Sequence, residues 1–497
     1  MVTEKFRRLL RQESEKWWTE GLIDAELHEK LAERYQFHQL ERDASNRFVG
    51  ILMGLGGILL GLGVITFIAA NWLDWSRSFK VMLLLSLFIG INAAGFYLWR
   101  RSPQHGLQKL GHGLLILGAL TLGANLSLMS QMFHQSGNFY QLLLVWGLGV
   151  FAMASSLPLT SLGVLSLILI GWGYGLGWID QSIAQDNSLW QLLLRHMPLI
   201  GSLLALPLAH WCRSRVIFAL GAILVATSLV FNLRPLSGWA AGQLTASGWI
   251  AMIAFTLPPA LLWSYHRNLW KFSSPSRLSV DSPRFPRSSD PFQPIARSLA
   301  VWFLSILFYI FAFHWVWEVH STPGLSSDQS ISPWQWQSLI DAIVLAIFAG
   351  LGWLQLTPQL RYQLHHRSLW VQEKAVNTGT VAAMLALTAG TLLWHFAIGA
   401  ILEVATLNFN LLLFGLAIAL IRDGLALGSR RTFWGGMLLL VLGIVSRMLE
   451  YNTGLLLKSI VFVICGIGVI FAGLWFERNA RPRTKLALPK PSQEGML

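Results

Sequence analysis

The feature that most restricts this chain is a series of apolar runs, each roughly 17 to 24 residues long, the length that crosses about 30 Å of hydrocarbon as a helix. Core helices of water-soluble proteins are usually shorter and keep one polar face. In lipid every backbone N–H and C=O must find its partner within a helix or a closed barrel, and these runs lack the alternation of barrel strands. The expected fold is therefore all-α: a polytopic transmembrane helical bundle preceded by a short soluble helical pair. Composition points the same way, with 54% of the 497 residues hydrophobic and 12% charged. An ordinary soluble domain carries roughly a quarter of its residues charged.

About fourteen spans are expected on this length criterion. The first eight fall at 48–70, 79–99, 111–131, 139–156, 161–179, 192–211, 216–231 and 248–265. Six more fall at 298–317, 336–356, 375–396, 407–421, 433–449 and 456–476. Two are irregular: 192–211 contains Arg195, Pro198 and Pro207, and 407–421 is short for a straight crossing. A re-entrant segment could replace either one.

The organisation that follows is a cytoplasmic helical head (1–47), a first bundle (48–265), a disordered basic linker (266–297), a second bundle (298–476) and a basic tail (477–497). In the head, Gly21 interrupts and Asp24 can cap a second helix bearing Leu27 and Leu31. Trp17, Trp18, Leu22 and Ile23 could pack between the two helices or rest at the bilayer surface. The linker is rich in Ser, Pro and Arg and cannot bury a core. Cys212 and Cys465 lie far apart and indicate neither a disulfide framework nor a zinc site.

The net charge of +13 is explained by basic loops beside the spans, without any nucleic-acid-binding motif. With the N-terminus inside, the inner loops hold Arg100, Arg101 and Lys109; Arg213 and Arg215; Arg267 to Arg297; Arg361, Arg367 and Lys374; and Arg422, Arg430 and Arg431. The outer loops carry Asp180, Asp186, Glu318, Asp328 and Glu403. Cationic flanks on the cytoplasmic side place both termini there. Arg77, Lys80, Arg195, Arg234, Arg447 and Lys458 depart from this pattern near outer ends, where long side chains can snorkel.

Three segments carry a family likeness: the head pattern from Trp18 to Asp24, the Gly-rich span and its exit from Gly61 to Trp72, and the polar stretch from Ser130 to Asn138. Through them the first third of the chain resembles the bacterial membrane-protein family called domain of unknown function 2157. The resemblance implies membrane location, and a bacterial inner (plasma) membrane in particular. It carries no catalytic assignment.

Polar residues in or beside the spans are the candidate functional groups, since each needs a partner, a wet cavity or a ligand. The densest early patch contains Asn125, Ser127, Gln131, His134 and Asn138, with Asn71 at the exit of the first span. Ser127, Gln131 and His134 are spaced by four and three, which places them on one helix face. They could line a substrate cleft or form an interhelical hydrogen-bond network. Later in the chain, Arg447 and Glu450 read as an intrahelical ion pair, or Arg447 as a site for an anionic substrate or lipid phosphate. Glu403, Asn408 and Tyr451 belong to the same group. His314, Trp315, Trp317, Glu318 and His320 read as an aromatic collar at the interface. Asp341 and His395 could join a proton pathway or be satisfied packing residues. Gly50, Gly54, Gly57 and Gly61 make a smooth face on the first span for close helix packing or homodimerisation.

No phosphate loop, zincin motif, nucleophile elbow or cysteine cluster stands at a useful position, so no enzyme class, cofactor or metal is indicated. The leading expectation is a transporter-like or lipid-handling protein with a polar cavity toward the outer leaflet. Its alternatives are a non-catalytic sensor or scaffold with a protein partner at the head, and, third, a membrane-embedded enzyme. Membrane lipids are the expected partners, together with a protein at the head or a second copy of the chain, and nucleic acid is not.

Overall fold

The computed structural model describes residues 4–35, 55, 59, 66, 70, 75–101, 107–134, 137–181, 189–235, 248–266, 291–318, 333–365, 369–426, 428–451 and 454–479. The expected first span, its four glycines and Asn71 therefore lie outside the described residues, apart from four isolated positions of that span. So do 267–290 of the expected linker, His320 and the tail from 480. The chain divides into two units, Met1–Gly90 and Ile91–Leu497.

The first unit opens with α1 (Glu4–Thr19) and α2 (Ala25–Arg34). As the sequence suggests, the Asp24 carboxylate caps α2 by accepting from the Leu27 amide at 2.9 Å, which satisfies one of the amides a helix start leaves free. The pair is held by Leu10, Ala32 and Tyr35 and by Trp18 stacked on His28. Leu27 and Leu22 remain exposed, so the inner seam is narrower than the expected stripe.

The remaining helices are α3 (Arg77–Trp99), α4 (Leu107–Met132), α5 (Phe139–Ser156), α6 (Thr160–Gln181), α7 (Leu189–Arg195), α8 (Met197–Trp211), α9 (Arg215–Leu233) and α10 (Gly248–Ser264). Then come α11 (Gln293–Phe311), the one-turn α12 (Trp315–Glu318), α13 (Pro333–His365) and α14 (Leu369–Leu393). A π-helical turn (Trp394–Ile398) precedes α15 (Leu402–Ala426), α16 (Arg430–Glu450) and α17 (Leu455–Asn479). Among the described residues there are 11 helices long and apolar enough to cross a membrane, or 12 when the bent pair α7 and α8 is taken as one span. The short apolar helix α10 stands outside that number. The expected 407–421 span is long and apolar enough for a full crossing, because α15 begins earlier and ends later than its apolar centre. The 192–211 span is broken, with α7 and α8 meeting at 70°.

Helix α10 is apolar on every side, as a helix buried along most of its length must be, and packs against α9, α11, α13, α14 and the π turn. Phe255 and Trp263 of α10 share one core with Phe308 and Phe311 of α11, Leu392 of α14 and Phe409 of α15. Helices from both sides of the expected linker therefore bury the same surface. Outward, large apolar groups such as Trp172, Leu203, Trp249, Ile347 and Ile470 are exposed, an arrangement suited to lipid and not to water.

Close approach of neighbouring helices rests on glycine, the role the sequence suggests for the first span. A Cβ on Gly436 would stand 2.8 Å from the Ala417 carbonyl oxygen, whereas one on Gly435 would meet nothing within 4 Å. Gly436→Ala should therefore cost about 1–3 kcal/mol by overpacking, while Gly435→Ala should be neutral or gain up to about 1 kcal/mol in helix propensity. Thermal unfolding of the two variants in detergent checks the difference; equal midpoints would show that α15 and α16 do not pack as closely as described.

Candidate functional site

The break between α7 and α8 follows from one residue. In a continuous helix the amide of residue 198 would bond to the carbonyl of Leu194, but Pro198 has no amide. His196, between the two helices, sits at φ −93°, ψ 18°, in the sparsely populated bridge region. The carbonyls released at the end of α7 are taken up from another helix: the Asn232 side-chain amide donates to Leu194 O at 2.9 Å and to Arg195 O at 2.8 Å. The Leu199 amide, the partner Arg195 O would have in a straight helix, faces the Asp341 carboxylate.

Further side chains from three helices complete the site. Tyr174 of α6 donates its hydroxyl to Asn232 Oδ1 at 2.9 Å, and both residues are buried. His196 Nδ1 lies 2.7 Å from Asp341 Oδ1 on α13. Arg195 donates to Gln337 Oε1 at 2.7 Å, and Gln335 donates to the Leu233 carbonyl at 3.3 Å. Asp341 is 0% exposed, and its Oδ2 has no hydrogen-bond partner among the described residues. A buried carboxylate oxygen without a donor is costly in a low-dielectric interior.

Arg234 closes α9 with φ 46°, a left-handed conformation that usually goes to glycine at a helix end. Its guanidinium lies over the Trp178 ring, 5.8 Å from the centroid. Burial lowers this guanidinium below its ordinary value; the Tyr174 hydroxyl opposes that shift and the Arg195 charge adds to it. Two arginines, a histidine and an aspartate thus surround one helix break.

An apolar cavity of about 100 Å³ begins one turn from the break. Leu199 and Ser202 of α8, Leu229 of α9, Leu345 of α13 and Pro258 and Tyr265 of α10 are among its lining residues. At its far end Tyr265 meets His210 at 3.4 Å.

The early patch expected from the sequence is arranged differently. Asn125 is buried and Ser127 half-buried on α4, whereas Gln131, His134 and Asn138 are exposed. His134 stands beyond the last residue of α4 with φ 51°, so it does not continue the face shared by Ser127 and Gln131. Asn138 donates to Asp180 at 2.5 Å, tying the start of α5 to the end of α6.

Arg447 belongs to another network. It is buried, donates to the Ala312 carbonyl, pairs with Glu450 as expected, and covers the Phe313 ring at 4.3 Å. Glu450 accepts from the His314 amide at 2.6 Å, and Asn410 also donates to Ala312 O at 3.0 Å. These bonds satisfy the carbonyl end of α11, a role suited to a cation. Asn408 donates to Thr391 at 2.5 Å, and Glu403 and Tyr451 are exposed. Trp317 departs from the expected collar: it is fully buried against Phe311, His395 and Phe409. Its indole N–H is satisfied by Phe311 O at 2.8 Å, which lets the ring leave the interface for the core. His395 is buried in the π turn and accepts from the Ile401 amide at 3.1 Å.

No group of three or more His, Cys, Asp or Glu among the described residues could hold a metal ion. With this geometry in place, the comparison with protein families is informative about the first third of the chain. Residues 15–163 match the family described as "Predicted membrane protein (DUF2157)". No curated protein and no solved structure matches. The matched stretch contains the Asn125 to Asn138 patch and ends before Tyr174, so the broken-helix site lies outside it.

Sequence reasoning noted Arg195, Pro198 and Asp341 separately but not Tyr174, His196, Asn232, Arg234 or Gln337 as one site. The available signal was Arg195-His196-Met197-Pro198, two ionisable residues and a helix breaker inside an apolar run. Asn232→Ala should leave two buried carbonyls without donors, at about 1–3 kcal/mol each, and lower the unfolding temperature in detergent. Asn232→Asp, which keeps the shape but loses the donor, should not rescue it; rescue by Asp would mean that the amide does not cap α7.

Proposed function

We propose that this integral membrane protein is transporter-like, with its solute site at the break between α7 and α8. The observation that carries this reading is Asp341: a fully buried carboxylate with one unpartnered oxygen, facing a helix interruption within the apolar bundle. Discontinuous helices gather backbone dipoles and polar side chains of the kind that hold solutes in transporters, and here they do so toward one end of the bundle, beside the last turn of α9 and the first turns of α13. Arg195 and Gln337 offer a cation and an amide for a polar solute, and the cavity beyond Leu199 accepts a small apolar portion. That cavity runs along α8, α9, α10 and α13 toward the opposite end of the bundle, where parting of the same helices would give the alternate exit. The Asn125 to Asn138 patch, Asn71 and Arg447 are auxiliary polar groups in this reading.

The break faces outward if the basic flanks are cytoplasmic. Arg100, Arg101, Arg213, Arg215, Arg430 and Arg431 all stand at the helix ends opposite the break, which supports cytoplasmic termini in a bacterial inner membrane. The head formed by α1 and α2 then lies in the cytoplasm, where it could bind a protein partner.

Proteoliposomes containing the full chain, screened for uptake of small polar and amphiphilic solutes, test the proposal. A transported solute should lose about tenfold or more of its uptake in Arg195→Gln, the loss of one charge-assisted contact, while deletion of residues 1–35 should leave uptake intact. Uptake equal in wild type and Arg195→Gln would place the site elsewhere. No uptake of any solute, with crosslinked partners lost on deleting the head, would favour the scaffold reading.

A further inference from the structure

We propose that His196 and Asp341 together bind an exchangeable proton, so that the broken-helix site takes up a proton as well as a solute. The inference deepens the transport reading above and names the ion that accompanies the solute.

The geometry is that of a two-step relay. The His196 side chain is 26% exposed and the Asp341 side chain 0%, so the imidazole bridges the surface of the protein and an enclosed carboxylate. With Nδ1–H donated to Asp341 Oδ1, the imidazole Nε2 can take a proton from hydronium at the protein surface, leaving water. As the Nε2–H bond forms, the Nδ1–H bond breaks and an O–H bond forms on Asp341. One proton has entered, the carboxylate is neutral, and no other reactant is consumed. Reversal returns the proton to water. Histidine is suited to this role because its charge changes near neutrality.

The surroundings favour a proton over a metal cation. The ionisable groups around the pair are Arg195 on α7, Arg234 at the end of α9 and Tyr174 on α6. Arg195 adjoins His196 in the chain and Arg234 acts on Arg195, so the cations at this break disfavour a metal ion. Helix α10, and α14 from 377 to 393, pack on α13 and contain no Asp, Glu, His, Lys or Arg. Only one carboxylate and one imidazole are available as ligands, and Asp341 Oδ2 has no donor among the described residues. A proton passed along the Nδ1–Oδ1 contact needs no further ligand, whereas a metal ion would.

The purified full-length protein in lipid nanodiscs, titrated across about pH 5 to 9, where a histidine beside a carboxylate changes charge, tests this by infrared difference spectroscopy. The expected result is the carbonyl band of a protonated carboxylic acid that grows as pH falls and shifts on isotope labelling of aspartate. The band should be absent in Asp341→Asn and lose its aspartate-label shift in Asp341→Glu. Its midpoint should move by about one pH unit or more in His196→Gln, the size of a typical charge-partner effect. Should Asp341→Asn fail to fold, the label shift in wild type and the His196→Gln midpoint still decide the matter. Absence of a titrating aspartate band in wild type, or its persistence in Asp341→Asn, would overturn the proposal. Solute uptake that depends on Arg195 without this band would leave transport standing and remove the proton; the band without any solute uptake would do the reverse.

Discussion

A backbone amide or carbonyl inside a bilayer has no water to fall back on, and this one constraint organises the protein from its longest helices to its most polar corner. Where the chain is helical the constraint is met locally. At Pro198 it is not, and the molecule answers by importing donors. Asn232 takes the Leu194 and Arg195 carbonyls, and Tyr174 holds Asn232 in place. The break is thus built into the fold, because its unsatisfied groups have dedicated partners on two other helices.

The same logic separates the two polar networks of the bundle. Around Arg447 a guanidinium and an asparagine both take the Ala312 carbonyl at the end of α11, and Glu450 takes the amide of His314, while Arg447 Nε and Nη2 and Asn410 Oδ1 have no hydrogen-bond partner among the described residues. That arrangement reads as a tie between α11, α15 and α16. Around Asp341 the carboxylate meets His196 and the Leu199 amide, and its Oδ2 has no hydrogen-bond partner by geometry among the described residues. What sets the Asp341 corner apart is the helix break it faces and the partly exposed His196 beside it, which is why function is assigned there.

Much of the architecture was legible without coordinates because length and polarity alone decide whether a helix is stable in lipid. The irregularity of 192–211 was legible for the same reason, since Pro198 and Arg195 cannot sit quietly in a straight apolar span. The short appearance of 407–421 was misleading: the helix continues through Glu403 before it and Arg422 and Asp423 after it, and Asn408 and Asn410 within it are bonded to neighbouring helices. Trp317 misled in a similar way, because an indole beside polar residues suggests an interface until its N–H is seen to have a buried acceptor.

By itself the sequence determined that the chain lies in a membrane as a helical bundle, roughly where most of its described helices run, and that 192–211 is one of two places where a span could be interrupted. These are properties of single segments, set by hydrophobic length and by a missing amide. What only the tertiary structure decided is which polar residues meet. His196 and Asp341 are 145 positions apart, and Arg195 and Gln337 are 142 apart. Helices that present lipid-like surfaces all round can pack in many orders, and their apolar periodicity names no partner. Close glycine contacts and buried hydrogen bonds choose among those orders, and neither can be read along one strand of sequence.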